Sequence, residues 1–193
     1  MCIRDRTKSV QYKTGESYDG DNQFVKDTYA ALDYIQTNGA DQGIVSDLAN
    51  DKNLDLRIRQ SPGSEDEVTE NGSFISPQNP DDLFFDNNHL IEFIDPDTKE
   101  LTGEIGSPAL LLLHELGHVQ RTRDGTSLVS GMSIQTHPFL FPTEKDKEEQ
   151  KVVDVIERPA AILLGDGIRI KYGDAKLRYK AQNVTSNKRK ANE

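Results

Sequence analysis

Two of the four histidines in the chain lie four residues apart, in His114-Glu115-Leu116-Gly117-His118. On an α-helix, positions i and i+4 sit one turn apart on the same face. Two imidazoles so placed can bind one zinc ion at about 2.0–2.1 Å each. The glutamate beside the first histidine is then placed to take a proton from water that the metal has acidified toward a pKa of ~7. It can pass that proton to a leaving amine. The pattern H-E-x-x-H therefore points to hydrolysis with Zn2+ as cofactor, His114 and His118 as ligands and Glu115 as general base. Gly117 costs a helix up to ~1 kcal/mol relative to alanine. Close approach of another segment at this point would account for it.

A catalytic zinc usually has three protein ligands and one open position. A glycine three residues past His118 and a histidine six past would continue the motif in one known way, but those positions hold Arg121 and Asp124. Asp124 could ligate only if the chain turned sharply just before it, where arginine is a poor substitute for glycine. His137 falls in a loop, beside Thr136, Pro138 and Phe139. The better source is the next helix, which carries Glu148, Glu149 and Glu157. Glu149 and Glu157 are eight residues apart and differ by about 80° around a regular helix. Both can face the site only if the helix bends, or if one acts behind the ligands.

The elements that must position these residues are readable. Ser107 suits the N-cap of the motif helix and Pro108 its first position. Ala109–Leu113 are apolar, Arg121 and Arg123 complement the helix dipole, and Asp124-Gly125 stops the helix. A charged helix covers residues 144–158 with Val152, Val153 and Ile156 inward, and residues 160–164 continue it beyond a break at Pro159. Upstream, residues 22–37 read as a helix, with Phe24, Val25, Ala31, Leu32 and Ile35 on one side. A short second helix covers 43–49. Leu54, Leu56 and Ile58 alternate with charged residues as in a strand. Phe74-Ile75 is a short strand, and Leu90–Ile94 a better one closed by the turn Asp95-Pro96-Asp97. Residues 61–72 and 126–143 read as loops. Residues 168–172 are a strand or extended segment.

The 193 residues suit one domain, and the net charge of −10 excludes a global grip on nucleic acid, which needs a positive footprint. No apolar run is long enough to span a bilayer. The single cysteine excludes a disulfide framework and a CxxC metal site. The opening, Met1-Cys2-Ile3-Arg4-Asp5-Arg6, resembles a translated sequencing adapter of a metagenomic gene model. Residues 1–6 are therefore expected to stand outside the fold, with the true N-terminus missing. Residues 7–21 are a loose segment, 22–175 the functional domain, and 176–193 a polar tail that turns basic and solvated at Lys188-Arg189-Lys190.

With these residues in place, the chain resembles the effector-type bacterial zinc metallopeptidases, some of which pathogens inject. The resemblance spans residues 23–175. It rests on "IEFIDPDT" and "GSPALLLLHELGHVQ" upstream and "EEQKVVDVIERPAAILLGDGIRIKYG" downstream. The downstream pattern is a Glu-Glu pair, then Glu-Asn, Gly, Arg and Tyr, met here by Glu148-Glu149, Glu157, Gly165, Arg169 and Tyr172. Arg158 stands where asparagine is usual.

The resemblance implies a zincin-like α+β fold, a small mixed sheet packed on the H-E-x-x-H helix and a glutamate helix. It implies Glu149 as third ligand, with Glu157 and Glu148 as alternatives, and Arg169 or Tyr172 as the group that meets a developing oxyanion. Strand Leu90–Ile94 would offer a free edge to an extended substrate. The expected function is a zinc-dependent endopeptidase with a protein or peptide substrate, either secreted or injected as an effector or else cytoplasmic. The alternative is a catalytically silent, zinc-stabilised binding domain, in which a fourth protein ligand would close the site.

Overall fold

The computed structural model describes residues 1–4, 9–62, 72–76, 78–95, 97–127, 144–172 and 176–190. The architecture is α+β, built on two sheets rather than the single one expected. A five-stranded mixed sheet has the order β2-β1-β3-β5-β4, and a three-stranded sheet the order β7-β6-β8. In the first, β1 (Cys2–Arg4), β3 (Arg57–Gln60) and β5 (Asp82–Phe85) run parallel. Strands β2 (Ser9–Gln11) and β4 (Phe74–Ile75) flank them antiparallel. Residues 2–4, expected outside the fold, are thus a strand, and Ile3 is wholly buried opposite Ile58. The alternation that fills the core there, Met1 and Ile3 inward, is ordinary strand patterning.

The second sheet is antiparallel. It has β6 (His89–Ile94) between β7 (Leu101–Gly106) and β8 (Lys176–Lys180). This overturns two expectations. Strand Leu90–Ile94 is central and has no free edge; the edge facing away from β8 belongs to β7. Residues 176–190 are not a tail: after β8 the chain returns, Ala181 bridges Arg189, and Lys190 N donates to Lys180 O at 2.8 Å. The polar composition concealed this because β8 needs only the backbone of β6 to pair.

Helix α1 (Gln23–Thr37) starts at Asn22, whose side chain accepts from Val25 N, and α2 is Ile44–Asn50. Helix α3 (Pro108–Arg123) carries the H-E-x-x-H motif. Ser107 caps it as expected, accepting from Leu110 N at 3.2 Å, and Gly125 follows its end at positive φ. Helix α3 packs against α1, α2, β6 and the glutamate helix, so its apolar residues point in every direction, as a central helix requires. Leu110, Leu112, Leu113 and Leu116 are wholly buried in the main core, and Leu111 joins Ile91 and Phe93 on the other side. Each buried leucine contributes about 1.5–3 kcal/mol.

The glutamate helix runs as α4 (Glu144–Val152), a π turn (Val153–Glu157) and α5 (Arg158–Leu164). The path is continuous through Pro159; there is no break. Arg158 N donates five residues back to Val153 O. Proline has no N–H for the carbonyl four residues before it, and that carbonyl, Val155 O, accepts from Gln42 Nε2 at 3.1 Å. Residues 168–172 form neither helix nor strand, bend at Lys171 and join no ladder.

Candidate metal centre

Two sequence features bring α3 and the glutamate helix together. Gly117 is the first. A Cβ there would lie 2.6 Å from Ile156 Cδ1 and 3.3 Å from Val152 Cγ1. The glycine lets the second helix approach closely enough for carboxylates to reach the histidines. The π turn is the second. A π turn takes one surplus residue, which removes about 100° of rotation. Glu157 therefore falls about 20° from Glu149 rather than about 80°.

The three glutamates are sorted by the imidazole nitrogen they face. Glu149 Oε2 lies 3.1 Å from His114 Nε2 and 3.2 Å from His118 Nε2. The two Nε2 atoms are themselves 3.2 Å apart. Glu157 Oε2 sits on the other edge of His114, 2.6 Å from Nδ1. Glu148 Oε1 lies 3.9 Å from His118 Nδ1. Among the described residues, His114, His118 and Glu149 form the one group of three able to hold a metal ion, with ligand atoms within 4.8 Å of one another.

Each outer carboxylate has an arginine behind it. Arg169 Nε donates to Glu157 Oε1 at 2.9 Å, and its Nη2 also donates to Glu157. Both residues are buried, Glu157 at 1% exposure. Arg121 Nε and Nη2 donate to Glu148 at 2.7 and 3.1 Å. Sequence reasoning gives Arg121 only to the helix dipole; the signal for more is its place one turn after His118.

Burial alone would depress the His114 pKa, but hydrogen bonds to Glu149 and Glu157 push it up to about 9. Burial would raise both glutamates. The two histidines instead hold Glu149 far below the usual carboxylate range. Arg169 and His114 push Glu157 down to about 2.

The donor set fits zinc. An ionised carboxylate only accepts hydrogen bonds, so His114 Nδ1 carries the hydrogen that meets Glu157. Nε2 of His114, aimed at His118 Nε2 and Glu149 Oε2, holds the proton that the raised pKa keeps on the metal-free ring, and losing that proton gives it a lone pair for a metal. Two imidazole nitrogens and a carboxylate oxygen converging in this way can share protons or hold a cation between them. A carboxylate behind a ligating histidine is the usual support of such a site.

The remaining candidates are placed as follows. Glu115 is half-buried, adjacent to His114. Tyr172 is half-buried, and the Arg169 guanidinium lies 5.2 Å from its ring centre and 4.9 Å from that of Phe93. Arg169 reaches the cluster through Glu157. Asp124 caps α3, and its side chain accepts from Gln120 Nε2 at 2.8 Å, within its own helix end. His137 and the rest of 128–143 lie outside the described residues, as does most of loop 61–72.

A family model, Peptidase_M91, described as effector protein, matches residues 13–160. The match includes the H-E-x-x-H segment and all three glutamates and stops before Arg169 and Tyr172. No curated protein and no solved structure matches the chain.

Proposed function

The chain belongs to the Peptidase_M91 effector-protein family, and from that premise we propose that it is a zinc-dependent endopeptidase with a zincin-like fold. Membership makes it a peptidase, with protein as the substrate class. No helix among the described residues is long and apolar enough to cross a membrane. The observation that carries the zinc reading is the convergence of His114 Nε2, His118 Nε2 and Glu149 Oε2, each pair within 3.2 Å.

In this reading His114, His118 and Glu149 hold the metal. When bound, zinc supplies the Lewis acidity that makes water a nucleophile near neutral pH. The chain's own residues do the rest. Glu157 fixes the His114 ring by taking its Nδ1 hydrogen, so Nε2 presents its lone pair. Glu148, held by Arg121, faces His118 Nδ1 from 3.9 Å, beyond hydrogen-bond reach. Glu115 accepts a proton from the attacking water at its carboxylate and gives it to the departing amine. The Tyr172 phenol is the donor toward the carbonyl oxygen as it gains charge. Arg169 acts as a positioning residue, because its guanidinium already donates twice to Glu157. The effector character of the family supports secretion or injection as the route.

The test is metal analysis of the purified chain together with hydrolysis of a protein substrate by parent and Glu115→Gln. About one zinc per molecule in both proteins, and cleavage only by the parent, is the expected outcome. Absence of stoichiometric zinc at neutral pH would overturn the reading. Zinc held without hydrolysis by the parent would favour the silent binding domain.

A further inference from the structure

The glutamate helix carries a second row of side chains beside its ligand row. Gln150, Asp154 and Arg158 follow one another at intervals of four residues. The first and last come directly after Glu149 and Glu157. All three are joined: Gln150 Nε2 donates to Asp154 Oδ1 at 2.9 Å, and Arg158 Nη2 lies 2.9 Å from the same oxygen. As exposed ion pairs these contacts would be worth little. Their significance is what else they hold.

Residues 168–172 lie across this row without a ladder partner. Ile170 O accepts from both Arg158 Nη2 at 2.6 Å and Gln150 Nε2 at 3.2 Å. Arg158 Nε points at Arg169 O at 3.4 Å. Tyr172 N donates to Gln150 Oε1 at 2.8 Å. The Gln150 amide thereby uses both donor hydrogens, on Asp154 and Ile170, and accepts at its oxygen from Tyr172. The other margin of the strap is fastened by Gly167 N to Ile105 O at 2.8 Å, Ile168 N to Glu104 Oε2 at 2.8 Å, and an ion pair of Lys171 with Asp97.

We propose that Gln150, Asp154 and Arg158 form a clamp that positions the strap carrying Arg169 and Tyr172, and through Arg169 the Glu157–His114 pair of the metal centre. The inference rests on the zinc reading for its consequence and on the hydrogen bonds alone for its geometry. The segment has no ladder bonds, and its contacts with Glu104, Ile105 and Asp97 fasten one margin only. The clamp fastens the other margin and ties it to the helix that also carries Glu149 and Glu157. Arg158, which departs from the asparagine of the resembling pattern, holds the strap at Arg169 and Ile170, and Gln150 carries the hold on to Tyr172. These are positioning residues; none is in the ligand cluster.

The experiment measures amide hydrogen exchange by mass spectrometry in parent, Arg158→Ala, Arg158→Lys and Gln150→Ala, with and without zinc. Zinc affinity is measured alongside by competition with a chromogenic chelator. Exchange across 169–172 should rise about five- to ten-fold in both alanine variants, as expected for losing one or two hydrogen bonds. Exchange in α1 should stay unchanged. Zinc affinity should fall about ten-fold, the lower end of what substitutions behind a metal ligand cost. Arg158→Lys, which still reaches one carbonyl, should recover part of both losses. Unchanged exchange at 169–172, a uniform rise across the chain, or zinc affinity equal to the parent would each overturn the proposal. If the parent itself binds no zinc, the function proposed above fails, while the exchange measurement on metal-free protein still decides the clamp.

Discussion

Glu149 and Glu157 meet the same imidazole from opposite edges: Glu149 Oε2 lies 3.1 Å from His114 Nε2 and Glu157 Oε2 lies 2.6 Å from His114 Nδ1. One helix therefore supplies both a candidate ligand and the group that orients its neighbour. Substitutions at the two positions should fail in different ways.

Glu149→Ala should cause the largest loss of zinc affinity among the three glutamates, because it removes a donor from the cluster. Glu157→Ala should cost about 10–100-fold, as loss of an orienting partner does, and Glu148→Ala less, given its 3.9 Å separation from His118. Zinc competition titrations measure all three. Release of the metal by Glu157→Ala with Glu149→Ala unaffected would reverse the assignment.

Glu115→Gln should keep the zinc and lose about 10²–10⁴-fold or more in hydrolysis, since the amide matches the carboxylate in size but cannot take a proton. Steady-state cleavage rates alongside metal content separate loss of the base from loss of the site. A variant as active as the parent would remove Glu115 from the mechanism.

Zinc uptake should release about one proton per ion at pH 7.5, because ligands must be deprotonated to bind and His114 is pushed up to about 9 in the metal-free protein. Calorimetry in two buffers of different ionisation enthalpy counts the proton. The sign for stability follows from a raised folded pKa. The His114 contribution is present below its ordinary value of 6.5 and is lost as pH rises through about 9. Metal-free protein should therefore weaken across that window, and zinc-loaded protein should not show this loss.

Gly117→Ala should destabilise the protein by about 1 kcal/mol despite the better helix propensity. The propensity gain is at most ~1 kcal/mol. Overpacking costs about 1–3 kcal/mol, and the new methyl would meet Ile156 at 2.6 Å and Val152 at 3.3 Å, both buried. Chemical denaturation gives the difference. A stabilised variant would show that the two helices can part without cost.

Asp166 gives a pH effect away from the cluster. Burial pushes its carboxyl up to about 6, against hydrogen bonds from Ser107, and the charge of Glu157 adds to the rise. A carboxyl raised in the folded state favours folding at low pH and loses that contribution as pH climbs from its ordinary 3.8 through about 6. Asp166→Asn should gain on the parent over this window, by of order 2 kcal/mol. Denaturation at pH 4 and pH 7 measures it. An unchanged difference between the two pH values would show that the group does not titrate there.

The histidine pair and its helix were legible because cap, apolar run and the i, i+4 spacing all agree locally. Gly117 was legible as a close approach, and Ile156 is what approaches. Which imidazole nitrogen each of Glu148, Glu149 and Glu157 faces was not. It depends on a π turn, and a phase shift inside a helix leaves no periodic signal when the segment is as charged as residues 144–151. Strand β7 was missed because Leu101–Gly106 holds two glycines and is mostly exposed. Strand β8 was missed because its composition is that of a tail. With β7 and β8 unseen, β6 was given an edge it does not have.

The surplus residue in the glutamate helix has a consequence for recognising related chains. Eight residues wound through a π turn present nearly the same face as seven wound as plain α-helix, since seven steps of about 100° also end about 20° short of whole turns. The interval between the two proposed functional glutamates is therefore not fixed by the geometry. A sequence one residue shorter between Val153 and Ile156, without the proline, would reach the same arrangement by a straighter helix. Patterns that demand one spacing will divide a single kind of site into two groups. A pattern that admits either interval, together with H-E-x-x-H, describes the chemistry.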